Sequence, residues 1–324
     1  MDLAVTNQKA GNAAGKRAFV RAFEVWVPSH DKTELVLAAG SYGELTEFES
    51  VAKETTFKFD EGLPGKAWAR RTPIILKDLQ GSYFLRGPAA ARAGLTCGVA
   101  LPILQGNELK GVIVFFCGDD RQHVGAIETW RSEGRSPEMG LFEGYYGTAE
   151  VFEWTARRIH FVKGSGLPGL VWAKGLPQVF THLTGPRFLR WEKAAEVGIT
   201  RGVGIPVRID EEGAWVMAFL SALDTPIASR VEVWSPNADG VLGFTAGYCE
   251  SIADLHVMLG SITVRRGEGT IGTVFATGVP AINNDVGRED TIVDDLAKVA
   301  GMSSIVAFPV YRGAELACVI AWYL

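Results

Sequence analysis

Phe84-Leu85-Arg86 recurs 104 residues later as Phe188-Leu189-Arg190. A guanidinium is a fork of donors that fits an anionic or carbonyl-bearing ligand, and an adjacent aromatic ring supplies a wall. The same pair also serves packing: the ring closes a loop, and the arginine meets an acid. Asp78 and His182 share one position in the two segments, and Asp285 holds it further on. An aspartate there caps the turn that follows, while His182 breaks the pattern and Arg201 lies beyond it. Cys97 and Cys117 fall on the two arms of one expected hairpin and could approach each other. A buried thiol is usually a small core hydrophobe.

Other chemistries find no support in the spacing. The four cysteines, Cys97, Cys117, Cys249 and Cys318, show no CxxC spacing, so neither a disulfide framework nor a zinc site is expected. The five histidines have no HxxxH or other metal spacing. The glycine-rich turns lack the Lys-Ser/Thr of a phosphate loop. A net charge of −5 gives no footprint for nucleic acid. No apolar run approaches the roughly 20 residues that span a bilayer. Residues 1–21 lack the apolar core of a secretory signal and read as a lead-in, with a short helix over Gly15–Phe23. A reducing cytoplasm fits this usage. The sequence names no cofactor.

The elements that hold these residues repeat three times. Glu24-Val25-Trp26 returns as Glu128-Thr129-Trp130 and Glu232-Val233-Trp234. Gly62-Leu63-Pro64-Gly65 returns as Gly166-Leu167-Pro168-Gly169 and Gly269-Thr270-Ile271-Gly272, and Pro102-Ile103 as Pro206-Val207 and Pro309-Val310. Such a period means copies of one unit laid end to end, here 22–122, 123–227 and 228–324. Alternation and turn signals give the first copy strands at Phe23–Val27, Glu34–Ala39 and Thr55–Phe59. A short helix follows the Gly-Leu-Pro-Gly entry and ends at Pro73. Then come a strand at Ile74–Leu76, an Ala-rich helix over Pro88–Ala93, and a closing hairpin of Cys97–Leu104 and Lys110–Phe116. The order β-β-β-α-β-α-β-β makes each unit α+β, a mostly antiparallel sheet with helices on one face.

Gly62 to Gly65, Trp68, Pro73, Asp78, Gly94, Pro102-Ile103 and Gly111 to Phe116 resemble the GAF domain, a small-molecule-binding sensory module of profilin-like architecture. Gly166 to Gly169, Trp172, Pro177, Gly198, Pro206 and Val216 to Phe219 carry the likeness in the second copy. The third is looser, with Gly269, Gly272, Phe275, Pro280, Asp285, Gly301 and Pro309. The resemblance implies a pocket between sheet and helices. It would hold Asp78, Phe84, Arg86 and Cys97 in copy one, and His182, Phe188, Arg190 and Arg201 in copy two. In copy three Asn284, Asp285, Thr291, Val293 and Ser304 fall there, and that copy is expected to serve mainly as structure. GAF domains bind cyclic nucleotides, tetrapyrroles, haem or small metabolites, and some only dimerise.

The expectation is a non-enzymatic cytoplasmic sensor that binds a small molecule and acts through a protein partner, with no nucleic-acid or membrane partner. A second reading is a cysteine-dependent enzyme resembling the GAF-like reductase of free methionine sulfoxide, centred on Cys97. A third is a ligand-free scaffold. Bilin attachment, known in GAF photoreceptors, is disfavoured because Gly98 rather than histidine follows Cys97.

The resemblance also exposes a gap. Gly118–Gly125 and Leu223–Ser229 are too short for the helices that usually bracket a GAF domain. One face of each sheet would be bare unless another repeat covers it. The units are therefore expected to pack together about a pseudo-threefold axis, with Trp26, Trp130 and Trp234 at their contacts.

Overall fold

The computed structural model describes residues 19–118, 124–185, 187–223, 225–252 and 254–324. The first unit runs β1 (Val20–Pro28), β2 (Glu34–Ser41), α1 (Thr46–Lys53), β3 (Thr56–Lys58), α2 (Gly62–Arg70), β4 (Ile74–Leu76), α3 (Gly87–Arg92), β5 (Leu95–Gln105) and β6 (Glu108–Gly118). The second runs β7 (Gly125–Glu133), β8 (Glu138–Tyr145), α4 (Glu150–Ala156), β9 (His160–Val162), α5 (Gly166–Lys174), β10 (Gln178–Phe180), α6 (Trp191–Glu196), β11 (Arg201–Asp210) and β12 (Gly213–Ser221). The third runs β13 (Arg230–Pro236), β14 (Leu242–Cys249), α7 (Leu255–Leu259), β15 (Thr263–Val264), α8 (Gly269–Thr277), β16 (Ala281–Asn283), α9 (Ile292–Val299), β17 (Ile305–Arg312) and β18 (Glu315–Tyr323).

Each unit is one six-stranded antiparallel sheet. The first has the order β3-β2-β1-β6-β5-β4, and the other two repeat it strand for strand. The Gly-Leu-Pro-Gly turn opens α2 with Gly62 at φ 59°, and Gly166 and Gly269 stand at 62° and 60°. That left-handed entry is what glycine permits. The chain is α+β throughout, as its patterning implies.

Two elements depart from the sequence reading. Helix α1 lies where only a chain break is legible. Its N-cap is Leu45, with no side-chain bond to the first turn, so the usual start signal is absent. At the other end, Val20–Phe23 is strand, not the end of a helix: Val20 pairs with Cys117 and Ala22 with Phe116. Residues 15–18 of the expected helix lie outside the described residues.

Period-two alternation sends each central strand's side chains to two different cores. Phe23 and Val25 of β1, Cys97, Val99, Leu101 and Ile103 of β5, and Ile113, Phe115 and Cys117 of β6 join one cluster with their counterparts from the other units. That shared core includes Met217, Phe219, Val231, Val233, Phe308 and Trp322. Phe115, Phe219 and Trp322, one from each unit, lie in mutual ring contact at 4.9–5.3 Å between centroids. The opposite faces carry Ala22, Trp26, Val112, Val114 and Phe116 into a separate core under the first unit's helices, and the other units repeat this. Both faces of every central strand are covered, which is why β5, β6 and β12 read as continuous apolar runs.

The units meet in a closed ring. Strand β4 touches β8, β10 touches β14, and β16 touches β2, while β5, β11 and β17 meet along the middle. Each seam carries a polar tie: Lys77 to Glu143 at 2.7 Å, Arg201 to Glu250 at 3.3 Å, and Asn284 Nδ2 donating to the Gly40 carbonyl at 2.8 Å. The expected packing about a pseudo-threefold axis is present. The expected place of the tryptophans is not. Trp26, Trp130 and Trp234 lie in the three separate cores, on the helix-covered faces, because their parity in the strand is opposite to that of Phe23 and Val25.

Candidate functional site

Phe84 and Arg86 come together between sheet and helices, as do Phe188 and Arg190. Arg86 is set by the loop that leads into α3, where it is the N-cap residue, and Arg190 stands likewise before α6. The guanidinium of Arg86 does not open onto solvent. It binds Glu24 through two parallel bonds, Nη1 to Oε1 at 2.6 Å and Nη2 to Oε2 at 2.7 Å. Arg190 binds Glu128 with the same atoms at 2.6 and 2.7 Å. Both acids are fully buried, and the arginines are only 3% and 2% exposed.

The rest of each environment completes the pair. Trp26 Nε1 donates to Glu24 Oε2 at 2.8 Å, and the Tyr42 hydroxyl donates to Oε1 at 3.1 Å. The carboxylate thus accepts from three side chains, which is what a buried charge requires. Rings of Trp26, Phe48, Phe57, Phe84 and Phe116 surround the Arg86 guanidinium at 4.7–5.8 Å, an arrangement that cation–π attraction favours. Burial, then the negative charge of Glu24, pushes the Tyr42 phenol well above its usual range. The sheet-to-helix space is closed further by Leu63, whose methyl would lie 2.8 Å from any Cβ at Gly98. Leu167 and Leu220 crowd the equivalent Gly202.

The third unit solves the same problem differently. It lacks the Phe-Leu-Arg run, and its cation comes from the strand itself: Arg230, where the other copies have Ala22 and Ala126, contacts Glu232 directly. Trp234 Nε1 again donates to the acid, at 2.8 Å. Burial raises the Glu232 carboxyl pKa, against the lowering effect of Arg230. Nearby, Asp294 is pushed up to about 7 by burial first, with Glu289 and Glu232 adding to the rise and Thr291 opposing it.

The other sequence-selected residues scatter. Asp78 is exposed and accepts from the amides of Gln80 and Gly81 at 2.9 and 3.0 Å. Those two backbone bonds, Gly81 first, hold its carboxyl below the usual range. It caps a turn. His182 is exposed, with Nδ1 3.2 Å from the Thr181 hydroxyl. Arg201 belongs to the seam between units two and three, on Glu250 and 4.6 Å from the Tyr248 ring. Cys97 is on the opposite face of the sheet, in the shared core, with no exposure. It stands opposite Cys117 in the β5–β6 register, and all four cysteines are buried thiols outside any disulfide. Burial raises the Cys318 thiol pKa above its usual range.

In copy three, Asn284 ties to Gly40, and Thr291 caps α9. No group of three or more His, Cys, Asp or Glu among the described residues is placed to hold a metal ion. No helix among them is long and apolar enough to cross a membrane.

Glu24 and Glu128 are the residues of this buried arrangement that pattern reading missed. The signal was in the repeat: Glu-x-Trp recurs in all three copies, and the arginine follows its acid by 62 residues wherever the Phe-Leu-Arg run exists.

A model of the GAF domain family matches residues 18–129. Among curated proteins, none is similar in sequence. Solved structures with similar regions include a GAF domain from A. aeolicus, 26% identical over 31% of this chain and 59% of that one, TM-score 0.25. The GAF domain of a phosphoenolpyruvate-protein phosphotransferase from Coxiella burnetii is 23% identical over 31% and 58%, TM-score 0.27. A free methionine-R-sulfoxide reductase from Neisseria meningitidis is 17% identical over 30% and 52%, TM-score 0.24. This chain spans less than two thirds of each of these chains. With a family match over the first sheet and the same strand order in the two that follow, residues 18–129 are a GAF domain and the chain is built of three tandem GAF-like units.

Proposed function

We propose that this chain is a non-enzymatic, small-molecule-binding regulatory protein whose three units act as one body and pass their state to a protein partner. The observation that carries the reading is the core that a GAF domain shares with the two sheets that follow it. Phe115, Phe219 and Trp322 touch one another across all three units. A packed core has discrete arrangements rather than a continuum, so a ligand that shifts one sheet biases the other two. Burial of the four thiols supports a role without nucleophilic chemistry, since a reactive cysteine needs access and a lowered pKa.

The test is native mass spectrometry of the purified full chain, before and after denaturation. A small molecule retained in the folded protein and lost on unfolding is the expected result. A folded chain that neither carries nor takes up any component of a metabolite extract would instead support a ligand-free scaffold. Thiol-dependent reduction of free methionine sulfoxide that vanishes in Cys97→Ser would replace the proposal with the redox reading.

A further inference from the structure

The GAF-type interiors of units one and two are filled by their own ion pairs and rings, but a cavity of about 490 Å³ opens elsewhere, where the three units meet. It lies at one end of the pseudo-threefold axis, beyond the narrow gap that Leu101–Leu104, Ile205–Val207 and Phe308–Tyr311 line together. Its size falls within the roughly 300–1,000 Å³ of small-molecule sites. The hairpins of units one and three are joined at its rim: Gly106 N donates to the Gly313 carbonyl at 2.7 Å, and Gln105 Nε2 to that of Ala314 at 3.0 Å.

Three arginines and two acids line the cavity, a positive spot in a chain of net charge −5. The acids, Asp210 and Glu212, are both held by Arg208. Arg71 and Arg312 form no ion pair among the described residues. Arg71 Nη2 donates to the Gly106 carbonyl at 3.1 Å and to Asn107 Oδ1 at 3.0 Å. Arg312 Nη2 donates to the Lys174 carbonyl at 2.8 Å. Each guanidinium uses Nη2 alone among the described bonds.

A comparison within the chain singles out Arg71. It ends α2 in the left-handed region at φ 57°, a conformation that costs an L-residue and suits glycine. The same position in the other units is Gly175 at 60° and Gly278 at 70°. Those glycines make room for the cavity's other groups. A Cβ at Gly175 would press on the Arg312 guanidinium, 3.3 Å away, and one at Gly278 would overlap the Tyr311 hydroxyl. Unit one alone bears the backbone cost, and what it gains is a guanidinium on the cavity wall. Such an outlier, sited at a concavity, points to function.

We infer that this axial cavity is a binding site for a small oxyanion-bearing molecule, an organic phosphate or a polycarboxylate, held by Arg71 and Arg312 with the Tyr311 ring as wall. The inference rests on the ligand-binding reading above and gives it a place outside the GAF interior. Because the site draws on all three units, occupancy there stabilises the ring as a whole.

Titration calorimetry of the full chain with inorganic phosphate, pyrophosphate and citrate, against sodium chloride of matched ionic strength, tests it. Binding of a phosphate species or of citrate tells the two sources of oxyanion apart. Arg71→Gly installs the residue that the sibling units carry and relieves the backbone, so it should fold at least as stably as the parent. Arg71→Gly and Arg312→Gln should each weaken binding about tenfold or more, the scale of a lost charge-assisted bond; Arg92→Gln, outside the cavity, should not. Equal affinity in all variants, or no binding of any of the three probes by the parent, overturns the site. A co-purified ligand that persists in Arg71→Gly overturns the site and leaves the ligand-binding reading standing. If the parent carries no ligand and takes up neither a probe nor any component of a metabolite extract, both fall.

Discussion

Replacing Arg86 with Met tests whether this guanidinium serves the interior or a ligand. The structure sets the magnitude. Glu24 is fully buried and loses both of its 2.6–2.7 Å partners at once, keeping only Trp26 and Tyr42. Removing one member of a buried pair costs about 3–5 kcal/mol, because the other is left charged and uncompensated. Arg92→Met gives the comparison: its 2.7 Å pair with Glu47 has both side chains more than half exposed, and such pairs contribute about 0–1 kcal/mol. The double variant Glu24→Gln with Arg86→Met removes the stranded charge and keeps an acceptor for Trp26 Nε1. It should recover most of the loss, with a coupling of about 2 kcal/mol or more between the two sites. Urea unfolding followed by tryptophan fluorescence measures all five proteins: the parent, Glu24→Gln, Arg86→Met, their double variant and Arg92→Met. An Arg86→Met loss under about 1 kcal/mol, or additive single and double variants, would refute the buried-pair account and return Arg86 to the solvent side of a pocket.

Three further outcomes follow from the same geometry. Asp294 titrates near 7 in the folded chain against an ordinary 3.8. The folded state therefore holds its proton more tightly than the unfolded state. Its contribution is greatest at acid pH and is lost as pH rises from about 4 to about 7. Asp294→Asn should flatten the stability profile in that window, and an unchanged slope would count against it. The isolated first unit, residues 1–122, should be insoluble or oligomeric, and the full chain should unfold in one transition or closely coupled ones, since Phe23, Phe115 and Cys97 cover their face only with the help of the other units. A soluble, cooperatively folded monomer of one unit, seen by sedimentation and calorimetry, would contradict this. Finally, Cys97 and Cys117 should react with a thiol reagent only at the rate of unfolding, and fast labelling of the native chain would show that the shared core is open.

What was legible in the sequence, and what was not, divides along physical lines. The period of Glu-x-Trp, Gly-x-x-Gly and Pro-Ile/Val was enough to place three units, because a repeated unit must repeat the residues that its turns and strands require. Alternation along Phe23–Val27 and Cys97–Leu104 located strands, and the short linkers implied mutual packing, since a bare apolar sheet face has to be covered. Helix α1 escaped because Leu45 provides no capping signal.

Partnership across the fold was decided only in three dimensions. Arg86 lies 62 residues from Glu24, and no local rule says whether a guanidinium turns inward to an acid or outward to a ligand. Parity along one strand separated Trp26 from Val25 by an entire sheet thickness, sending one beneath the helices and the other into the shared core. The cavity at the axis has walls from three distant hairpins, so it exists only once the ring has closed. Local patterns determine which elements form, because they reflect backbone geometry and solvent exposure one residue at a time. Sites made by converging elements depend on how rigid bodies pack, and that is fixed by the whole set of contacts at once.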